Sequence, residues 1–318
     1  MLTGICKVVI KRVLGRPLER KYTVLVNLRD ITAIAEQNNM AIGAFNSPSL
    51  EAVRAAIDVA EKLGYPVIID HAEGHESFVP LDSIGPVMVA LAERSSAPVC
   101  VHLDHCEHLS YMRRALEMGF TGAMFDGSML PYDRNVELGA RAAEMCHDFD
   151  CGLECELGSM GKRENGAGHE DENVDTPDAI YTNPDDAVDF IEATNCDILA
   201  VSFGTVHGIY KGEPHLDFNV LSEIRKRTHT PLVMHGGSGV SDEDYHKAID
   251  AGIRKVNYYT YGAKFAGERV RKVIKDYEEK EDGAIVYWHD MTMAAYDELC
   301  KTFEHVMQVF VNGAGPIA

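Results

Sequence analysis

The chain has 318 residues, 46% of them hydrophobic, so it can bury a large core as one long α/β domain or as two smaller domains. Its 30 lysines and arginines against 50 aspartates and glutamates give a formal charge of −20. This charge argues against a general affinity for DNA, RNA or an anionic membrane, so an anionic substrate would have to be bound by local groups.

The first 24 residues differ in charge from the rest of the chain. They contain six lysines or arginines and one acid, Glu19. We interpret residues 1–24 as an N-terminal extension, either non-native or from an upstream start, with a targeting arm as the alternative. Residues 25–318 contain no linker, no low-complexity segment and no long charge block, so we predict that they form one domain.

Short β-rich apolar runs recur eight times in this domain. The predicted strands are residues 41–46, 66–71, 98–104, 122–126, 152–157, 198–203, 231–235 and 253–259. Segments with apolar spacing near 3.6 residues lie between them, for example 50–62, 82–94, 109–117, 133–147, 185–193, 218–227 and 241–250. Strand followed by helix, eight times, predicts a closed parallel (β/α)8 barrel of the TIM type.

Polar residues gather at the downstream ends of these strands, where barrels of this type carry their chemistry. Taken in strand order from the third to the eighth, they are Asp104 and His105, Asp126, Glu154 and Glu156, His207, His235, and Asn257. Packing alone does not explain so many polar groups at one end of the predicted barrel.

Three of these residues indicate a metal site. His105, His207 and His235 each follow a buried apolar run, and neutral imidazole is a ligand that suits zinc and related divalent ions. Three protein ligands with an open fourth position are typical of a catalytic zinc site rather than a structural one.

The eight cysteines include no Cys-x-x-Cys pair, and nothing resembles a secretory signal with a cleavage site. No apolar stretch reaches membrane-spanning length without charge. We therefore predict a cytoplasmic protein with reduced thiols and no membrane partner.

Motifs from about residue 25 to the C-terminus resemble those of the class II, zinc-dependent ketose-bisphosphate aldolases, which cleave fructose or tagatose 1,6-bisphosphate. Each motif alone is a weak signal, but their order and spacing are highly specific. They are Gly43-Ala44-Phe45-Asn46, His102-Leu103-Asp104-His105, Asp126-Gly127-Ser128, Glu154-Cys155-Glu156-Leu157-Gly158, Tyr181-Thr182, Gly204-Thr205-Val206-His207-Gly208, His235-Gly236-Gly237-Ser238-Gly239 and Lys255-Val256-Asn257.

The resemblance implies an aldol cleavage between the third and fourth carbons of a ketose. A zinc ion on His105, His207 and His235 would stabilise the enediolate that cleavage leaves. Asp104 would be the general base for the hydroxyl on the fourth carbon. A glutamate on the loop after the fifth strand would protonate the third carbon, and we assign Glu164 to this role, with Glu170 as a rival because the loop is longer than usual.

The resemblance also implies further binding residues. Glu156 and Asp126 would approach the metal or support a second divalent or monovalent cation, although for Asp126 hydrogen bonding within the barrel mouth is an equal alternative. Glycine-rich turns let backbone N–H groups approach an anion. The pocket for the dihydroxyacetone-phosphate half would therefore use Gly208, Gly236, Ser238, Asn257 and Thr260, with Lys211 either adding charge or remaining a solvated loop lysine.

Three departures from the family concern the aldehyde half of the substrate. Ala72 stands where relatives commonly have a serine, and Tyr259 stands where fructose-specific members have an aspartate. Residues 281–300 contain no arginine for a distal phosphate, for which Lys162, Arg163 and Arg269 are candidate replacements. The sequence therefore predicts a retained aldol reaction with an unresolved aldehyde partner.

Two other classes of function remain open. A regulatory barrel would keep the scaffold without the reaction, but it has no need for Asp104 beside a metal site. A zinc hydrolase of the barrel type would carry a His-x-His pair on the first strand, where this chain has Ala44-Phe45-Asn46. We expect a small phosphorylated sugar as substrate, no nucleic-acid partner, and a homodimer or homotetramer.

Overall fold

Eight parallel strands close into a barrel in the part of the chain that the computed structural model describes, which is residues 24–158, 181–210, 212, 214–280 and 285–317. Neighbours in the barrel are neighbours in sequence, and the last strand pairs with the first. The predicted (β/α)8 fold is confirmed, with each strand end within two residues of its predicted position. The strands are β1 Ile42–Asn46, β2 Val67–Ala72, β3 Val99–Cys106, β4 Gly122–Phe125, β5 Gly152–Leu157, β6 Ile198–Val201, β7 Leu232–Met234 and β8 Ile253–Tyr258.

Ten α-helices lie in the described residues, seven of them within one residue of the predicted bounds. The eightfold pattern predicts a helix after the last strand, which α9 provides, while α1 and α10 lie outside that pattern. None of the ten is long and apolar enough to cross a bilayer. They are α1 Leu28–Asn38, α2 Leu50–Leu63, α3 Leu81–Arg94, α4 Leu109–Glu117, α5 Tyr132–Asp148, α6 Pro184–Thr194, α7 Phe218–Thr228, α8 Asp242–Asp250, α9 Thr260–Lys280 and α10 Trp288–Phe310.

The helices form an outer layer because each strand sends alternate side chains outward. Residues such as Phe45, Ile69 and Val101 point from the sheet into the apolar layer beneath the helices. Side chains of the opposite parity, such as Ile68 and Cys100, belong to a second cluster inside the barrel. A parallel sheet covered on both faces explains why its strands read as continuous apolar runs.

Helix α1 closes the N-terminal end of the barrel. Asn27 caps it by accepting a hydrogen bond from the backbone N–H of Asp30 at 2.8 Å. The N–H of Leu28 donates to the carbonyl of Thr121, just before β4, and the helix buries Leu28 and Ile31 in the inner cluster. With one end sealed by apolar side chains, the opposite mouth is the accessible one. The predicted extension, apart from Val24, lies outside the described residues.

We predict that Ile31→Ala lowers the free energy of unfolding by about 2–5 kcal/mol, because it leaves a cavity where the isoleucine is fully buried. Urea denaturation followed by circular dichroism measures this. Gln37→Ala, on the exposed face of the same helix, is the matched control with little expected effect. Equal midpoints for the two variants would show that α1 does not seal the barrel.

Candidate active site and metal centre

Three histidines from different strands meet at the C-terminal mouth. His105 lies near the end of β3, His207 follows β6 and His235 follows β7. Each offers one ring nitrogen within 4.8 Å of the others. The ring centroids are 4.6–5.7 Å apart, and the ring planes cross at steep angles. These three side chains could therefore hold one ion between them.

A break in the strand pattern brings His105 to the mouth beside Asp104. Adjacent residues of a regular strand point to opposite faces. The register of β3 against β4 shifts between Leu103 and Cys106, and His105 has a left-handed φ of 44°. As a result, Asp104 and His105 both line the same cavity.

Carboxylates bind two of the three imidazoles through the ring nitrogen that faces away from the other histidines. Asp126 Oδ2 lies 2.8 Å from His105 Nδ1, and Glu154 Oε1 lies 2.7 Å from His235 Nε2. The remaining nitrogens, His105 Nε2 and His235 Nδ1, are 3.0 Å apart. At this distance the two rings share a hydrogen bond, and a small outward shift would bring the nitrogens to the spacing of about 3.4 Å between two ligands of a tetrahedral zinc ion.

His207 completes the set with a different environment. Both of its ring nitrogens are buried and have no hydrogen-bond partner among the described residues. Burial lowers its pKa well below the usual value, and the charge of His105 lowers it further. His207 is therefore a neutral imidazole with a free lone pair, the form that a metal needs.

Asp104 is a buried carboxylate held in its ionised form. Asn46 Nδ2 donates to it at 2.9 Å, and Asn257 Nδ2 donates at 3.1 and 3.2 Å. Burial favours the neutral acid, but the charges of His105 and Lys255 outweigh this and hold the pKa of Asp104 well below its usual range. Its oxygen Oδ2 lies 3.9 Å from His105 Nε2. Asp104 is thus a base directly beside the candidate metal ligands.

A buried ion pair supports this arrangement from inside the barrel. Lys255 Nζ lies 2.8 Å from Glu154 Oε2 and 2.6 Å from Asn257 Oδ1, with both charged side chains fully buried. Burial alone would raise the pKa of Glu154, but Lys255 and His235 lower it to about 2. His102 Nδ1 lies 3.0 Å from Asp70 Oδ1, and His102 Nε2 lies 3.6 Å from Glu154 Oε2. His102 therefore lies beside Glu154, the carboxylate that holds His235.

Glu156 and Asp126, predicted to lie near the metal, occupy unlike environments. Glu156 is buried, its Oε2 has no hydrogen-bond partner in the described residues, and burial followed by the charge of Asp126 raises its pKa well above the usual value. Asp126 bonds to His105 and accepts from the Ser128 hydroxyl at 2.7 Å. One oxygen from each carboxylate and one His105 nitrogen also lie within 4.8 Å of one another. This second group could accept a further cation.

The turn after β7 forms one wall of the cavity. Gly236 has a φ of 63°, and a Cβ there would overlap the carbonyl oxygen of Val206, so the turn requires glycine. Gly236, Ser238 and Asn257 line the cavity. Gly208 and Thr260 adjoin lining residues in the chain but do not line the cavity themselves.

Some predicted residues are not in the cavity, and one lining residue was not predicted. Arg269 lies on α9 and is not among the lining residues. His75 lines the cavity from a 3₁₀ turn, Glu73–His75, directly after β2. Its position near a strand end was the only signal in the sequence, and such a signal does not separate a cavity histidine from a solvated one. Several predicted loop residues lie outside the described residues: Lys162, Arg163, Glu164, Glu170 and Lys211.

The chain is similar to known aldolases. Residues 26–314 match the family model described as fructose-bisphosphate aldolase class-II. The crystal structure of the YdjI aldolase from Escherichia coli K12 is 29% identical, with a TM-score of 0.78 over 91% of this chain and 98% of that one. Fructose-bisphosphate aldolase from Campylobacter jejuni is 21% identical, with a TM-score of 0.77 over 92% of this chain and 97% of that one, which shows the shared fold.

We predict that Glu154→Gln lowers the free energy of unfolding by about 3–5 kcal/mol, because it leaves the buried ammonium of Lys255 without its partner charge. Glu156→Gln is the matched control. Burial, followed by the charge of Asp126, raises the pKa of its carboxyl and so favours the neutral form, and we expect a change below about 1 kcal/mol. Urea denaturation of the chelator-treated variants measures both. If both variants lost the same free energy of unfolding, the assignment of Glu154 as ionised and Glu156 as favouring the neutral form would be contradicted.

Proposed function

Because the chain belongs to the class II fructose-bisphosphate aldolase family, we propose that it is a zinc-dependent aldolase that joins and cleaves dihydroxyacetone phosphate and an aldehyde. The observation that carries the proposal is the ionised Asp104 beside three converging imidazoles. The family's substrates make a fructose- or tagatose-1,6-bisphosphate-like ketose the starting hypothesis. A different phosphorylated ketose is the alternative, which Ala72 and Tyr259 favour because both depart from the family at the aldehyde half.

The donor set supports zinc as the cofactor. His105, His207 and His235 would hold the ion, with Asp126 and Glu154 orienting two of the rings. Bound there, zinc supplies the Lewis acidity that lowers the energy of negative charge on the ketose carbonyl oxygen. The group of His105, Asp126 and Glu156 supports a second cation as part of the proposal.

Asp104 would take the proton from the hydroxyl on the fourth carbon during cleavage and return it during condensation. Its hydrogen bonds from Asn46 and Asn257 fix the carboxylate in place, so little reorganisation accompanies the proton transfer. Glu164, on the loop after β5, remains our proposal for the group that protonates the third carbon.

The glycine turn after β7 would receive the phosphate of the dihydroxyacetone half. Gly236 and Ser238 line the cavity, and a turn with glycine at 236 has no side chain there to keep an anion away from the backbone. Gly208, Asn257 and Thr260 complete the proposed substrate-binding set.

A second copy of the chain is the proposed partner, in a homodimer or homotetramer. Large apolar side chains are exposed before and at the start of α10, with Trp288 79%, Ile285 66% and Tyr287 52% exposed. Such a patch is typical of an interaction surface. The seven cysteines of the described residues are all free, which supports the proposed cytoplasmic location.

We predict that Trp288→Asp shifts the protein towards a monomer, because a charge would then stand in the centre of the contact. Analytical ultracentrifugation measures the molecular mass of both forms. A wild-type protein that is already monomeric at micromolar concentration would overturn the proposed assembly.

We predict that Asp104→Ala keeps the fold and the zinc but lowers the rate of retro-aldol cleavage by roughly 10²–10⁴-fold, because the general base is lost. His207→Ala should lose the zinc itself. Zinc content is measured by mass spectrometry. Release of dihydroxyacetone phosphate from a panel of ketose phosphates, with and without chelator, measures cleavage.

His305→Ala is the control for both variants, because this histidine is exposed on α10 and away from the cavity. Full turnover by Asp104→Ala would refute the assigned base. Zinc binding without any cleavage would favour the zinc hydrolase, and the absence of zinc from the wild type would favour the regulatory barrel.

A further inference from the structure

We propose that His75 and Tyr259 form the part of the site that binds the aldehyde half of the substrate, and that they select an uncharged, hydroxylated aldehyde over a phosphorylated one. The substrate would then be a ketose with a single phosphate, on its dihydroxyacetone side. This inference rests on the proposed aldolase function and extends it to the substrate class.

His75 lies across the cavity mouth from the glycine turn, and Tyr259 lies between them at the end of the intervening strand β8. His75 follows β2 and the turn of Gly236 follows β7, and these strands are separated in the closed barrel by β8 and β1. Tyr259 follows β8 directly, and its ring centroid lies 5.2 Å from that of His75. Asp104 lines the cavity together with both. An aldehyde next to Asp104, with dihydroxyacetone phosphate at the glycine turn, would therefore extend towards these rings.

His75 is fixed by its neighbours and has unused hydrogen-bonding capacity. It is 1% exposed, and its ring packs against those of Tyr259, Phe78 and His71. Its Nδ1 has no hydrogen-bond partner among the described residues. Burial lowers its pKa to about 4, so the ring is a neutral donor and acceptor rather than a cation. Such a group suits a hydroxyl better than a phosphate.

The side chain behind His75 is held in a similar way. His71 Nε2 lies 3.0 Å from the hydroxyl of Tyr111, which donates to Glu76 at 2.5 Å. His71 is fully buried, and burial lowers its pKa to about 4. This array, which ends in the carboxylate of Glu76, adds no positive charge to the aldehyde end.

The charges around the cavity also favour an uncharged aldehyde. Among the lining residues that the structure describes, there is no lysine or arginine, and the carboxylate of Asp104 acts electrostatically on His75. A second phosphate would lie near this carboxylate with no described cation to balance it. Ala72 and the phenol ring of Tyr259 instead present a small apolar surface to a carbon chain.

The first measurement compares aldehydes with dihydroxyacetone phosphate held constant. Condensation joins the two molecules with no loss of atoms, as the third-carbon proton leaves and the aldehyde oxygen gains one. We expect kcat/KM for glyceraldehyde to exceed that for glyceraldehyde 3-phosphate by at least about tenfold. A preference for the phosphorylated aldehyde would overturn the inference.

The second measurement uses His75→Phe, which keeps an aromatic ring but removes the hydrogen bonds, and His75→Gln, which keeps a donor and an acceptor. For His75→Phe, we expect a rise of roughly tenfold in the KM for glyceraldehyde, the size of one lost hydrogen bond. The rise should be smaller with propionaldehyde, which lacks hydroxyls, and smaller in His75→Gln. His305→Phe is the matched control on the surface. An unchanged KM in His75→Phe would contradict the assigned role.

A third measurement separates this inference from the proposed function. Exchange of the third-carbon hydrogen of dihydroxyacetone phosphate with deuterated solvent needs no aldehyde and reports the aldolase half-reaction alone. We expect the wild type to catalyse this exchange. In His75→Phe, the rate of exchange should fall less than the rate of condensation with glyceraldehyde. If both rates fell equally in His75→Phe, His75 would have a structural role only. Wild-type protein without exchange would refute the aldolase function, and the inference with it.

Discussion

The site depends on two hydrogen bonds that fix the direction of two imidazole rings. Asp126 holds His105 by Nδ1, and Glu154 holds His235 by Nε2, so that the opposite nitrogens face each other at 3.0 Å. A free imidazole rotates about two bonds, and three unrestrained rings would not stay convergent. Carboxylates behind the rings therefore do the positioning that a tetrahedral ion requires.

These carboxylates are themselves held by charge inside the barrel. Glu154 contacts both His235 and Lys255, and Lys255 also contacts Asn257, which bonds to Asp104. Lys255 thus links the candidate base Asp104 to Glu154, the carboxylate that holds His235. Burying a charge is costly unless it is paired, so each member of this chain of contacts depends on the next. The apolar seal under α1 keeps the network away from water at the other end.

The strand positions and the helices between them could be predicted because buried parallel strands are apolar runs and outer helices are amphipathic. Helix α1 has helical spacing at Leu28, Ile31 and Ala35, but that it seals the barrel depends on contacts with distant strands. The direction of His105 could not be predicted either. Simple alternation puts it on the face opposite Asp104, and only the register shift of β3, with its left-handed backbone, reverses this.

The contribution of His75 depends on a 3₁₀ turn of three residues, which is too short to leave a periodic signal. The family motifs identified the residues at the strand ends, since those residues recur in a fixed order along the sequence. They did not identify the aldehyde side, where this chain departs from the family at Ala72 and Tyr259. Under the proposed function, the metal site and Asp104 would serve the retained aldol reaction, and the departures at Ala72 and Tyr259 would set the choice of aldehyde.

The most direct test of the account is anomalous diffraction at the zinc absorption edge from zinc-loaded crystals. The account predicts one strong peak about 2.0–2.1 Å from His105 Nε2, His235 Nδ1 and a ring nitrogen of His207. A peak at another site, or a peak that leaves any of these three imidazoles uncoordinated, would contradict it.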